Sequence, residues 1–152
     1  MRTISQPEAV TIDTRDDQED LGALFAQITR RVIDAERPLL HARGLSMWEY
    51  IALSHLVGRP APNQLTLARA MGHDKTRLIT LLDGLQERGL ISRGPDPADR
   101  RSHLVSITSA GRKRHATACA AIRSMESDFL ADLDKSERAS LLLLLSRLAD
   151  VR

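Results

Sequence analysis

The sequence predicts a mostly helical domain carrying one small β-hairpin. Three observations predict it. Six runs of apolar residues at helical spacing each carry their own start or stop signals. Two short alternating stretches, residues 90–93 and 103–107, flank the turn-rich segment PDPADRRS. A chain of 152 residues with 42% hydrophobic content is long enough for one proper core.

Residues 1–15, with Pro7 and scattered polar groups, read as a loose arm, and residues 16–152 as a single domain. From Asp16 on, Leu21, Leu24, Phe25, Ile28 and Val32 recur at helical spacing, and Pro38 is expected to end the run. Ser46 with Glu49 forms a capping box for a second helix, which stops at Gly58 and Pro60. Asn63 caps a short third helix through residue 71, where Gly72 breaks it. Asp74 caps a fourth, with Leu78, Leu81, Leu82 and Leu85 inward and Gly89 at its end. The hairpin follows, and Thr108 caps a long helix in which Ala118, Ile122, Met125 and Phe129 share a face. Asp134 with Glu137 opens a last helix to about residue 150. Two strands are too few for a free-standing sheet, so the hairpin must lean on the helices before it.

Composition narrows the function classes. Aromatics make up only 3%, so aliphatic side chains fill the core. The net charge of +2 is unevenly spread: residues 88–115 carry seven Arg/Lys against Asp96 and Asp99. That local excess fits a polyanion partner, and equally a solvated basic face. A single cysteine allows no internal disulfide, no secretory signal pattern opens the chain, and the apolar run 141–145 is far too short to span a bilayer. A cytoplasmic protein with no membrane partner is expected. The five histidines fall in no HExxH pattern, and no phosphate loop or nucleophile elbow is present, so an enzyme ranks last among the readings. His115 and Cys119 lie four apart, but a metal wants three or four ligands and none converge. No metal or cofactor is expected, and Cys119 reads as a small core or interface residue.

The segment LARAMGHDKTRLITLLDGL (67–85) has a specific layout. Small Ala68 lets two helices approach, Gly72 makes the sharp turn, and a capped helix follows. This is the helix-turn-helix arrangement, whose second helix enters a major groove. Its first turns offer Lys75, Thr76, Arg77 and Thr80. Arginine pairs with guanine edges, and threonine reaches phosphate or a thymine methyl. A packed helix pair with solvated ends is the competing reading. The basic hairpin directly behind favours DNA, because an arginine at its tip is drawn to the negative potential of a narrow minor groove. Asp99, two residues from Arg101, is placed to orient that guanidinium by a charge-assisted pair, or simply to staple the hairpin.

Asp99, Arg101 and Ser102, then four residues, Ile107, Thr108, two residues and Gly111 resemble the signature of the MarR (multiple antibiotic resistance regulator) family, D-x-R-S/A, four residues, L-T-x-x-G, with isoleucine for the usual leucine. GLSMWEYIAL and LDGLQERGLISR resemble the family as well, and the likeness spans about residues 20–150. The resemblance implies a winged helix-turn-helix (45–111) joined to a helical dimerisation region (16–44 and 112–152). It implies a homodimer on pseudo-palindromic double-stranded operator DNA, usually a repressor, released by a small aromatic or phenolic effector. Carried over, Thr66, Lys75, Thr76, Arg77 and Thr80 face DNA, Asp99 and Arg101 hold the wing in the minor groove, and Arg100 lies beside them on phosphate. Many members place an arginine where Thr80 stands and a threonine where Arg77 stands. The family's effector pocket lies between the dimer helices and the winged part, where Phe25, His41 and Trp48 are the candidates.

Residues 141–145 are leucine all around the last helix, and a helix apolar on every side is buried on every side. At the end of so small a chain this points to a partner subunit through Leu141, Leu144, Leu145 and Leu148. The reading that competes with a regulator is a winged-helix dimer that binds protein without specific DNA binding.

Overall fold

The computed structural model describes residues 20–149 apart from 62, 73, 98, 100 and 102. Among these, six helices and one two-stranded antiparallel sheet follow in the order α1 (Leu21–His41), α2 (Met47–Gly58), α3 (Gln64–Met71), α4 (Lys75–Glu87), β1 (Ile91–Pro95), β2 (His103–Ile107), α5 (Ser109–Phe129) and α6 (Lys135–Ala149). The proposed arm 1–15 and Asp16 lie outside the described residues. Asp20 caps α1, its carboxylate accepting from the Gly22 N–H at 3.0 Å.

The caps read from the sequence form. Ser46 and Glu49 complete a reciprocal box at α2. Asn63, Asp74 and Thr108 each accept from first-turn amides of α3, α4 and α5. Asp134 and Glu137 close the box that opens α6. Pro38 is the exception. It does not end α1 but sits inside its last turn, and the helix runs on to His41, with the Pro38 carbonyl accepting from the Ala42 N–H at 3.0 Å. A proline costs a helix the bond its own N–H would have made, but its carbonyl still serves the following turn.

The core lies between Leu40 and Ile122. Leu53 and Leu56 of α2, Leu67 and Ala68 of α3, Leu78, Leu82 and Leu85 of α4, Val105 of β2 and Ala118 of α5 close on one another. The hairpin is no free-standing sheet. Val105 exchanges two backbone hydrogen bonds with Ala61 at 2.9 Å, which ties β2 to the segment before α3. By contrast α6 buries none of its residues, and α1 buries only Leu40. No described helix is long and apolar enough to cross a membrane.

Candidate nucleic-acid interface

The turn between α3 and α4 is built by Gly72 in the left-handed region at φ +61°, where a side chain would be strained. Asp74 Oδ1 then accepts from the amides of Thr76 and Arg77 at 3.0 and 3.1 Å. Buried Leu78, Leu82 and Leu85 fix the rotation of α4, so Lys75, Thr76, Arg77 and Thr80 face outward and are exposed. Among the described residues, none of these four side chains has a hydrogen-bond or ion-pair partner. Thr66, in the first turn of α3, is exposed too, its hydroxyl on Asn63 Oδ1 at 3.1 Å.

The basic segment behind α4 divides sharply. Arg88 pairs with Glu49 and donates to the Gly44 carbonyl at 2.7 Å. Arg93 reaches back from β1 to Asp83 and Gln86, bracing the wing on the recognition helix. Arg112 donates to the Val57 carbonyl and Arg114 to the Arg43 carbonyl, at 2.9 and 2.7 Å. Four of the seven cations that made this segment look like a phosphate-binding face therefore hold the fold together. Arg101 at the wing tip remains exposed, while Arg100 and Ser102 lie outside the described residues.

The Asp99 carboxylate does not take the Arg101 guanidinium. It accepts from the Arg101 backbone N–H at 3.0 Å, and the Asp99 N–H donates to the Asp96 carbonyl at 3.2 Å. A short acidic side chain two residues back is well placed for this local turn, which forms without immobilising a long side chain. The aspartate thus shapes the tip and leaves the Arg101 guanidinium without a partner among the described residues.

The threonine and glycine of the signature have a physical role at the other end of the wing. Thr108 Oγ1 donates to the Gly89 carbonyl at 2.6 Å and accepts from the Gly111 N–H at 3.0 Å. Gly111 is buried against the Leu90 backbone so tightly that a Cβ would run into its carbonyl. The pair clasps the end of α4, the hairpin base and the start of α5.

The three candidates for the effector pocket are not brought together within one chain. Phe25 and His41 are sixteen residues apart on the one helix α1, roughly 24 Å at the ordinary helical rise. Phe25 instead lines a shallow groove along α1 with Thr29, Ile33 and Arg37. Trp48, at the start of α2, is about half exposed. Sequence reasoning paired His115 with Cys119 but passed over the polar cluster that they join at the seam of α2 and α5. There the Tyr50 and His115 rings stack with centroids 5.1 Å apart. Ser54 Oγ donates to the Tyr50 carbonyl and lies 2.9 Å from His115 Nε2, which must then be the donor. Burial, then the bond to Cys119, pushes the Tyr50 hydroxyl up to about 12, and burial lowers the His115 ring. Residues 61 to 69 positions apart in sequence meet here, and no local pattern announces them.

Comparison with known proteins places this geometry. Residues 43–102 match the MarR family profile. A protein of Thauera aromatica assigned to transcriptional regulation of the hcr operon is 32% identical over 126 residues, covering 83% of this chain and 72% of its own length. The regulator CouR of Rhodococcus jostii RHA1, in a crystal structure with p-coumaroyl-CoA, superposes with a TM-score of 0.76 at 27% identity over 88% of this chain and 94% of its own. The transcriptional repressor CouR bound to a 23-mer DNA duplex superposes equally well, TM-score 0.76 at 28% identity, covering 86% of this chain and 92% of that one. With its winged helix-turn-helix, its signature at the wing and these relatives, the chain belongs to the MarR family of transcriptional regulators, DNA-binding proteins rather than enzymes.

Proposed function

We propose that the protein is a cytoplasmic repressor that binds a pseudo-palindromic operator as a homodimer and is released by a small aromatic effector. One observation carries the DNA reading: Lys75, Thr76, Arg77 and Thr80 stand exposed on one face of a rigidly capped helix with no partner among the described residues, whereas Arg88, Arg93, Arg112 and Arg114 are all engaged. In this reading two recognition helices enter major grooves about one helical turn, ~34 Å, apart. Thr66 and Arg100 contact backbone, and Arg101, set by Asp99, enters the flanking minor groove. Leu141, Leu144, Leu145 and Leu148 form the dimer contact. The DNA-bound and p-coumaroyl-CoA-bound CouR structures support a DNA partner and an aromatic effector. Phe25, His41 and Trp48 serve one pocket only if the partner subunit contributes across it.

The test is fluorescence anisotropy on an operator selected from a random duplex library. Arg77→Ala is expected to weaken the selected site by ~1–3 kcal/mol and to relax discrimination at one base pair per half-site. Equal losses on selected and random duplex would leave Arg77 a phosphate contact. No salt-dependent binding of any duplex would leave a protein-interaction dimer instead.

A further inference from the structure

We propose that the cavity where the end of α1, the end of α4 and the start of α5 meet is a phosphate-binding subsite, which takes the anionic tail of a nucleotide-conjugated effector. The effect on DNA rests on the effector reading above; the binding itself does not. The cavity, about 640 Å³, is lined by Arg43, Gly44, Arg88, Lys113, Arg114 and Thr117 among others, with four cations and no carboxylate among the described residues of its wall. Arg88 is neutralised by Glu49. The other three cations have no acidic partner among the described residues.

Two of these three are held in place by neutral groups. Arg43 donates through Nη1 to the Leu39 carbonyl at 2.8 Å and through Nε to the Thr117 carbonyl at 3.2 Å. Arg114 donates through Nη1 to the Arg43 carbonyl at 2.7 Å. A carbonyl fixes a guanidinium without cancelling its charge, and a guanidinium has five N–H donors in a planar fork. Both arginines therefore keep charge and unused donors in a fixed geometry, and Lys113 adds a mobile third. Fixed guanidinium forks beside a mobile ammonium suit phosphate oxygens. The volume falls in the range of pockets for small molecules and cofactors and exceeds what one phosphate needs.

Operator backbone is not the occupant. The cavity touches the C-terminal end of α4, and Lys75 opens that 13-residue helix roughly 18 Å away. It touches Leu90, just before β1, and the five residues of β1 carry the wing tip roughly 17 Å off. Both DNA-reading points thus lie at the far ends of the elements that the cavity joins to α1 and α5. An anion drawing Arg43, Lys113 and Arg114 together there changes how the reading parts sit on the helical ends, provided it binds the two arrangements unequally.

Isothermal titration of the full chain at fixed ionic strength tests the subsite with adenosine 3′,5′-bisphosphate, adenosine and inorganic pyrophosphate. The bisphosphate is expected to bind and adenosine not to. Lys113→Gln and Arg114→Gln should each weaken the bisphosphate about tenfold. Arg114→Gln also removes a fold contact, so Lys113→Gln, which breaks none among the described residues, is the decisive variant and should melt with the parent. Adenosine binding equally well, or Lys113→Gln binding at parental affinity, overturns the subsite. Pyrophosphate binding as tightly as the bisphosphate assigns the cavity to a free inorganic anion and overturns the tail. Lys113→Gln should hold operator DNA within twofold of the parent, and a tenfold loss there gives the cavity to DNA. If p-coumaroyl-CoA binds through Lys113 yet leaves operator affinity unchanged, the subsite stands and effector release falls. If p-coumarate releases DNA while the bisphosphate does not bind, effector release stands and the subsite falls.

Discussion

Leucine does opposite work in the winged part and in the helical ends of this chain. Leu53, Leu78, Leu82 and Leu85 are fully buried, each held by a neighbour from another element. Leu142, Leu143, Leu144 and Leu148 leave 53 to 67% of their surface open, and Leu21, Phe25 and Ile28 at the start of α1 leave 40 to 64%. The winged part completes its core within one chain; the ends do not. Exposed apolar surface of this kind marks an interaction site, and in the homodimer proposed above its cover is the same ends of a second copy. The polar residues divide in the same way. Arg88 and Arg93 of the winged part, with Arg112 and Arg114 of α5, make internal contacts, whereas Lys75, Arg77 and Arg101 stand exposed at the recognition helix and wing tip, the proposed DNA-reading points.

The comparison breaks if the two sets of leucines respond alike. Leu144→Glu places an unpaired charge in the proposed dimer contact, at a cost of about 3–5 kcal/mol per chain. It is expected to yield a monomer in sedimentation velocity at micromolar concentration, with helical circular dichroism largely kept and operator affinity lost, since both half-sites are needed. Leu82→Ala leaves a cavity in a closed core, and denaturant unfolding should register a loss of about 2–5 kcal/mol. That variant should remain a dimer wherever it remains folded. A dimeric Leu144→Glu with unchanged DNA affinity would return α6 to the role of a solvent-facing helix.

A smaller effect sharpens the polar side of the comparison. Arg101 is the exposed cation at the described wing tip, and Asp99 shapes its turn through the main chain. Arg101→Ala should cost roughly 1 kcal/mol, at the low end for an arginine at base edges. The loss should be greatest on A·T-rich flanks, where the minor groove is narrow, and smaller on G·C-rich ones. Anisotropy at one fixed salt concentration on both flank types reads it. Equal affinity of parent and variant on A·T-rich flanks would reduce the tip to a structural turn.

Much of this was legible in the sequence, for a reason that also marks the limit. Caps act over two or three residues, so Ser46, Asn63, Asp74, Thr108 and Asp134 announced their helices directly. Leu78, Leu82 and Leu85 followed from helical period, and the hairpin from its turn residues. Pro38 misled because a proline rule concerns the preceding turn, whereas α1 survives on the bonds that follow. The basic excess over 88–115 pointed to a polyanion partner but could not say which of its cations would meet one. Charge can be counted in a sequence, but whether a guanidinium is free depends on carbonyls such as Val57 and Arg43, 55 and 71 residues away. Phe25 and His41 illustrate the same limit, since one helix holds them apart while the sequence only says that both are available.

The smallest expected effect lies at the seam between the two regions, where His115 of α5 stacks on Tyr50 of α2 and meets Ser54. Burial holds the His115 ring below its ordinary value of 6.5. As pH falls through that value the unfolded chain takes up the proton first, so this residue's contribution to stability is lost from there downward, until the folded-state value is also passed. Glu36 works in the opposite direction. Burial, then the nearby Glu126 carboxylate, raises its carboxyl above 4.5, so the folded chain keeps that proton longer and its contribution is lost as pH rises through the raised value. The parent's pH dependence alone mixes the two, so the measurement must be a difference. His115→Gln removes the ring's titration and keeps an N–H donor for Ser54 Oγ. The parent's melting temperature should fall relative to that variant between about pH 7.5 and about pH 5.5, and only modestly, because the ring is partly exposed. Parallel melting curves over that range would mean that His115 titrates alike in both states, and that the seam does not hold it neutral.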